Sequence, residues 1–136
     1  MSDAEKPNLP LTPEEIADRL VPSQPQISPD GKNVVFTVEP SARKGEHAES
    51  TIWLSRDGAE AQPFSTGSAH DRSAVWSPDG IKLAFLSDRA ERGKEKLYVI
   101  SLAGGEGRAL GDLSGELAQP KWSPDGKTIA LLRTDP

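Results

Sequence analysis

Three runs of the chain mix two sizes of apolar side chain in alternation: KNVVFTV (32–38), IKLAFLS (81–87) and KTIALLR (127–133). Side chains point alternately to the two faces of a strand. Val34, Leu83 and Ile129 therefore share a face with Phe36, Phe85 and Leu131, while Val35, Ala84 and Ala130 take the other. One face is bulky, one is small, and neither is polar. That pattern predicts a sheet covered on both sides, because a wetted face would show polar residues at alternate positions. Short length, β-branched and aromatic content and Gly/Pro borders argue against helices here.

Each run follows the same tetrapeptide, SPDG, at Ser28–Gly31, Ser77–Gly80 and Ser123–Gly126. The markers stand 49 and 46 residues apart, within the period of about 40–50 residues that characterises propeller blades. Shorter strands precede the markers: QPQI (24–27), SAVW (73–76) and QPKW (119–122). TIWLS (51–55) and KLYVIS (96–101) match as third strands, and AQPFST (61–66) and GRALGD (107–112) as weaker fourth strands. RDGAE and LAGGEG between them are hairpin sequences. Four strands per unit make a blade. The reading is an all-β fold: a partial β-propeller of about two and a half four-stranded antiparallel blades, preceded by a short N-terminal α-helix. Residues 1–22 form the tail and helix and 23–136 the incomplete propeller, with blade 1 at about 24–66, blade 2 at about 73–112 and a partial blade 3 at about 119–136.

Within SPDG, proline presets the first central φ of a turn, aspartate suits the second, and glycine can adopt the left-handed conformation that returns the chain. The serine hydroxyl can cap the turn by a local hydrogen bond. SPDG thus reads as the link between first and second strands, with Asp30, Asp79 and Asp125 held apart in three turns rather than gathered around a metal. At the N-terminus, LTPEEIADRL offers Thr12 as N-cap, Pro13 at the first helical position and Glu15 to close a capping box. A helix is expected from Pro13 to about Leu20, with Ile16, Ala17 and Leu20 forming a stripe that needs an apolar partner. Residues 1–8, polar and proline-containing, are expected to be disordered.

The 136 residues carry a net charge of −5, which disfavours nucleic acid and anionic membranes as partners. There is no cysteine and there are only two histidines, so thiolate sites are excluded, zinc sites are disfavoured and no cofactor is expected. No window reaches the run of about 20 apolar residues that a membrane span needs, and the acidic N-terminus does not read as a signal peptide; a cytoplasmic location is expected. GGEGRALG spaces its glycines wrongly for a phosphate loop and precedes a strand, so it reads as a hairpin. His70 beside Asp71, and His47, read as residues of solvated loops, as do the charged runs ARKGEHAES (42–50) and DRAERGKEK (88–96). These runs fall on the propeller face opposite the SPDG turns, where Arg43, Lys44, Arg89 and Arg92 are expected to meet a partner domain or a substrate rim. Trp76 and Trp122, repeated at equivalent positions, are expected to pack between blades.

The pattern W-S-P-D-G-x-x-[LI]-A-[FL], carried by Trp76 to Phe85 and Trp122 to Leu131, is followed by Leu97-Tyr98-Val99 and Gly104-Gly105-Glu106. It resembles the propeller repeats of TolB-type proteins and of the prolyl oligopeptidase family of serine peptidases. The first unit departs from it, with Ile27 in place of the tryptophan and Val35 in place of the alanine. LTPEEIADRLVPSQPQISPDGKNVVFTV resembles the start of the acylaminoacyl-peptidase and dipeptidyl-peptidase-like members. The resemblance implies an intact polypeptide that hydrolyses short peptides with a Ser-Asp-His triad on an α/β-hydrolase domain, behind a propeller that restricts access. No Gly-x-Ser-x-Gly elbow occurs here, Ser68 and Ser114 having the wrong surroundings. The chain therefore carries no catalytic, substrate-binding or metal residue on this reading. Its expected partners are the remainder of the propeller and the hydrolase domain, in the same or a separate chain, with homo-oligomers left open. The rival reading is a non-catalytic TolB-like propeller that binds proteins.

Overall fold

The computed structural model describes residues 19–42, 45–65, 68–111, 113 and 115–135. Three antiparallel meanders account for its strands. The first sheet runs β1 (Leu20–Ile27), β2 (Asn33–Pro40), β3 (Thr51–Arg56) and β4 (Gln62–Pro63). The second repeats it with β5 (Arg72–Trp76), β6 (Lys82–Ser87), β7 (Lys96–Ser101) and β8 (Arg108–Leu110), and β9 (Glu116–Trp122) pairs with β10 (Ile129–Thr134) in the third. Every expected strand is present, although the fourth strands shrink to two and three residues.

β1 starts earlier than its sequence pattern suggests. Leu20, expected to end a helix, instead pairs in the sheet with Pro40. Pro22 keeps Val21 extended, pairing with β2 carries the strand back to Leu20, and proline is tolerated in an edge strand such as β1. The remainder of the expected helix, and the tail at 1–8, lie outside the described residues. Among the described residues there is no helix.

A bulge recurs in each innermost strand. Pairing shifts register between Ser23 and Gln26, between Arg72 and Val75, and opposite Ala130 and Leu132. At its centre Gln24, Ser73 and Gln119 adopt φ of 54°, 57° and 52°. Such bulges bend a strand and sharpen its twist.

The second sheet is covered on both sides, as the alternation predicts, and the sheets stack large face onto small face. Val35 of the first sheet packs with Leu83, Phe85, Tyr98 and Trp76 of the second, together with Ile52 and Leu54. On the other side of the second sheet, Ala84, Leu86 and Leu97 meet Leu117, Trp122, Ile129 and Leu131 of the third.

Polar fastenings reinforce this packing at both ends. At the turn end, Trp76 Nε1 donates to the Gln26 carbonyl (3.0 Å) and Trp122 Nε1 to the Val75 carbonyl (3.2 Å), so each indole ties its strand to the preceding sheet. Ile27 stands at the equivalent place in the first unit and is exposed.

At the other end, the 88–96 run is exposed at 89–91 and 93–94, as its composition suggests, but it is anchored through the buried Asp88. Asp88 Oδ1 accepts from His70 N (2.8 Å) and Arg92 Nε (3.1 Å), and Oδ2 from Gly93 N (2.9 Å). Arg92 also donates to the Ala48 and Ser68 carbonyls (2.7 and 3.1 Å), which joins the loops of both sheets. Arg89 Nη2 meets Asp71 Oδ2 at 3.2 Å. Buried carboxylates require such donors, and mixed charge along the sequence conceals which of them find one another. Arg43 and Lys44 lie outside the described residues.

Burial alone would raise the Asp88 pKa, but the donors from His70, Gly93 and Arg92 outweigh it and hold the carboxyl below its ordinary value of 3.8. A depressed native pKa contributes stability that is fully present above the ordinary value and lost as pH falls through the native one. Urea unfolding between neutral pH and about pH 3 is expected to show a steep loss below about pH 4 in the wild type, and a flatter slope in Asp88→Asn. Trp76→Phe keeps an aromatic ring but removes the inter-sheet donor; a loss of about 1–3 kcal/mol in urea unfolding is expected.

Candidate functional site

The three SPDG aspartates are occupied by their own turns. Ser28, Ser77 and Ser123 each donate Oγ–H to the aspartate two residues on, at 2.6 Å in every case. The same Oδ1 accepts the backbone N–H of Lys32, Ile81 or Lys127 at 3.0 Å. The serine hydroxyl, and then the backbone N–H, lower all three carboxyl pKa values. Neighbouring turns lie near one another, since a Cβ added at Gly80 or Gly126 would meet Pro29 or Pro78 at 3.7 or 3.6 Å, while the carboxylates are bonded within their own loops. Among the described residues no three His, Asp or Glu side chains are arranged to hold a metal.

His70 is half-buried rather than solvated. It forms a parallel bridge with Ser50 across the first two units, and its Nδ1 lies 2.8 Å from Ser50 Oγ. With Asp71 adjacent, the trio superficially suggests a hydrolytic triad, but the hydrogen-bond directions rule that out. Ser50 Oγ is 2.6 Å from the Asp71 carbonyl, which only accepts, so the single hydroxyl proton points there. The imidazole must then donate from Nδ1 and cannot take the serine proton. The Asp71 carboxylate, fully buried, is paired with Arg89 instead of orienting the imidazole. His47, also expected in solvent, is half-buried, and its ring lies close against Gly93.

The glycine-rich stretch is a hairpin: Gly104 and Gly105 have φ of 106° and 94°, Gly104 N donates to the Ser101 carbonyl, and β8 follows. Ser68 is exposed in the connector between the first and second sheets, and Ser114 lies outside the described residues.

A groove of about 640 Å³ opens along the innermost strands. Gln24 of β1, Arg72 of β5 and Leu117 of β9 form its floor, while Glu39, Glu95 and Glu116 supply acid. The floor is a hydrogen-bonded chain across all three sheets. Gln24 Oε1 accepts from Thr37 Oγ1 (2.9 Å) and from Ser73 N (2.8 Å). Arg72 clasps Glu95 with two bonds of 2.7 Å and reaches the Leu117 carbonyl at 2.8 Å. The Glu95 hydrogen bond, opposed by burial and assisted by the charges of Glu95 and Glu116, raises the Arg72 pKa, so the guanidinium stays charged. Glu39 and Glu116 form no ion pair among the described residues. Among the described residues the groove therefore carries an excess of acid, which disfavours anions.

Sequence reasoning missed the Arg72–Glu95 clasp. One signal was available: aligned on SPDG, position 72 corresponds to Ser23 and Ala118, so a long cation stands where the other units have small residues. Nothing in the spacing pointed to Glu95 as its partner.

Comparison with known proteins agrees with this architecture. The uncharacterized peptidase YuxL of Bacillus subtilis (strain 168) is 34% identical over 123 residues, which cover 89% of this chain and 18% of that protein. The Tol-Pal system protein TolB of Alcanivorax borkumensis is 41% identical over 59 residues, or 43% of this chain and 13% of that protein. The crystal structure of TolB from Acinetobacter baumannii superposes with a TM-score of 0.63 at 26% identity, covering 82% of this chain and 26% of that one. The chain thus spans about a fifth or less of these curated relatives. The family described as TolB beta propeller domain matches residues 17–136, and the chain belongs to it.

Proposed function

We propose that this chain is the propeller segment of a serine peptidase of the acylaminoacyl- or dipeptidyl-peptidase type, and that its inner groove borders the route by which short peptides reach a hydrolase domain. The observation that carries this reading is the 34% identity, along nearly the whole chain, with a protein named as a peptidase. The opening segment's resemblance to such peptidases supports it, and so does a groove that sorts by charge without chemistry of its own. On this reading the chain works in the cytoplasm. Its partners are further propeller sheets and an α/β-hydrolase domain that supplies the triad.

A second reading has its own support. The likeness to TolB in both sequence and fold favours a non-catalytic propeller that binds other proteins.

A serine-directed fluorophosphonate probe applied to the full-length polypeptide separates the two. Labelling, together with cleavage of short peptides and sparing of folded proteins, is the expected result; absence of both labelling and cleavage in a folded sample favours the binding module. Within the peptidase, Glu116→Lys on the groove rim is expected to lower kcat/KM for lysine-rich peptides by up to about tenfold at low ionic strength, with little change for neutral ones.

A further inference from the structure

Arg89 is held in an unusual way for a surface cation. Its Nε donates to Ser87 Oγ (3.1 Å) and its Nη2 to Asp71 Oδ2 (3.2 Å), both partners being fully buried. The guanidinium carbon lies 5.0 Å and 5.1 Å from the ring centres of Phe85 and Tyr98, which are themselves stacked. Two hydrogen bonds and two rings thus fix the orientation of the fork.

One arm remains. Nη1 has no acceptor among the described residues and lies 3.6 Å from where a Cβ on Gly107 would stand. Arg89 and Gly107 line a groove of about 350 Å³ between the first and second sheets, separate from the inner groove. Ile52, Phe64 and Ile100 make its apolar wall, and Glu106 stands at its rim.

We infer that this groove binds a singly charged carboxylate attached to an apolar body, of which the free C-terminal end of a short peptide with an aliphatic last residue is the fitting example. Charge complementarity determines the choice. Asp71 already balances the guanidinium, so the open arm offers a directed, charge-assisted N–H rather than a broad positive field. Phosphate and other multiply charged anions need several such donors, and Glu106 repels them further. A carboxylate oxygen needs one strong donor, and the side chain beside it would cover the partly buried Phe64 and Ile100. The volume accommodates about one residue, at the small end of the usual range for ligand pockets of about 300–1,000 Å³. This inference does not depend on whether a hydrolase domain is attached.

The test is an NMR titration of the full chain with N-acetyl-leucine and, separately, with its C-terminal amide. The acid is expected to shift the Arg89 Nε–H and the Gly105 and Gly107 amides in a saturable way, with the amide at least about tenfold weaker because it leaves the arginine donor without a charged acceptor. Glu106→Gln should tighten binding of the acid. Phe64→Ala should weaken N-acetyl-leucine but not acetate, and it leaves the Asp71–Arg89 pair intact where Arg89→Gln would expose a buried carboxylate. Equal responses to acid and amide overturn the inference. So does the absence of any response to the acid, the outcome expected if Glu106 occupies the arginine in solution, and so does weaker acid binding in Glu106→Gln.

Discussion

The structure depends on each sheet being clamped to the next at both ends of a core that is large on one side and small on the other. The apolar contact supplies most of the attraction but not a unique alignment, since flat faces of leucine, valine and alanine can slide. The indole donors at the turn end and the arginine–carboxylate cluster at the loop end remove that freedom. Trp76 can reach the Gln26 carbonyl only when the second sheet sits at one height against the first. Arg92 reaches Ala48 and Ser68 only when the loops of both units close together. Loss of either removes hydrogen bonds between sheets that are at most partly buried, each worth about 1 kcal/mol, a noticeable share of the marginal stability of a domain.

The same clamps decide what the molecule can do chemically. Ser50, His70 and Asp71 bring three residue types of hydrolytic catalysis together, yet the Ser50 hydroxyl is committed to the Asp71 carbonyl and Asp71 Oδ2 to Arg89, while Asp71 Oδ1 is buried without a partner among the described residues. The SPDG aspartates are likewise committed to their turns. What remains available is shape and charge: an acidic groove along the innermost strands and a smaller groove between sheets with one arginine arm.

The periodic part of this architecture was legible in the sequence because it is local. Alternation in 32–38, 81–87 and 127–133 reports strand faces directly, and SPDG carries its own turn chemistry, so strands, turns and the covering of both sheet faces could all be read, while the large-on-small order of stacking came from the fold. The fastenings at the loop end could not. Asp71 and Arg89 are 18 residues apart and Arg72 and Glu95 are 23 apart, within runs whose mixed charge is what a solvated loop also shows. Only the fold brings them together and removes water from around them. Leu20 shows the opposite case: a capping box upstream suggested helix to about Leu20, where pairing with Pro40 draws the chain into β1 instead.

The indoles also give the molecule a built-in optical readout. Two of its three tryptophans lie at successive sheet junctions, with their ring nitrogens bonded to the neighbouring sheet, while Trp53 lies half-buried beside Phe36 on the far side of the first sheet. Indole emission moves to longer wavelength as water gains access. Separation of one sheet from the next would therefore register in the protein's own fluorescence before the hydrogen bonds within each meander are lost.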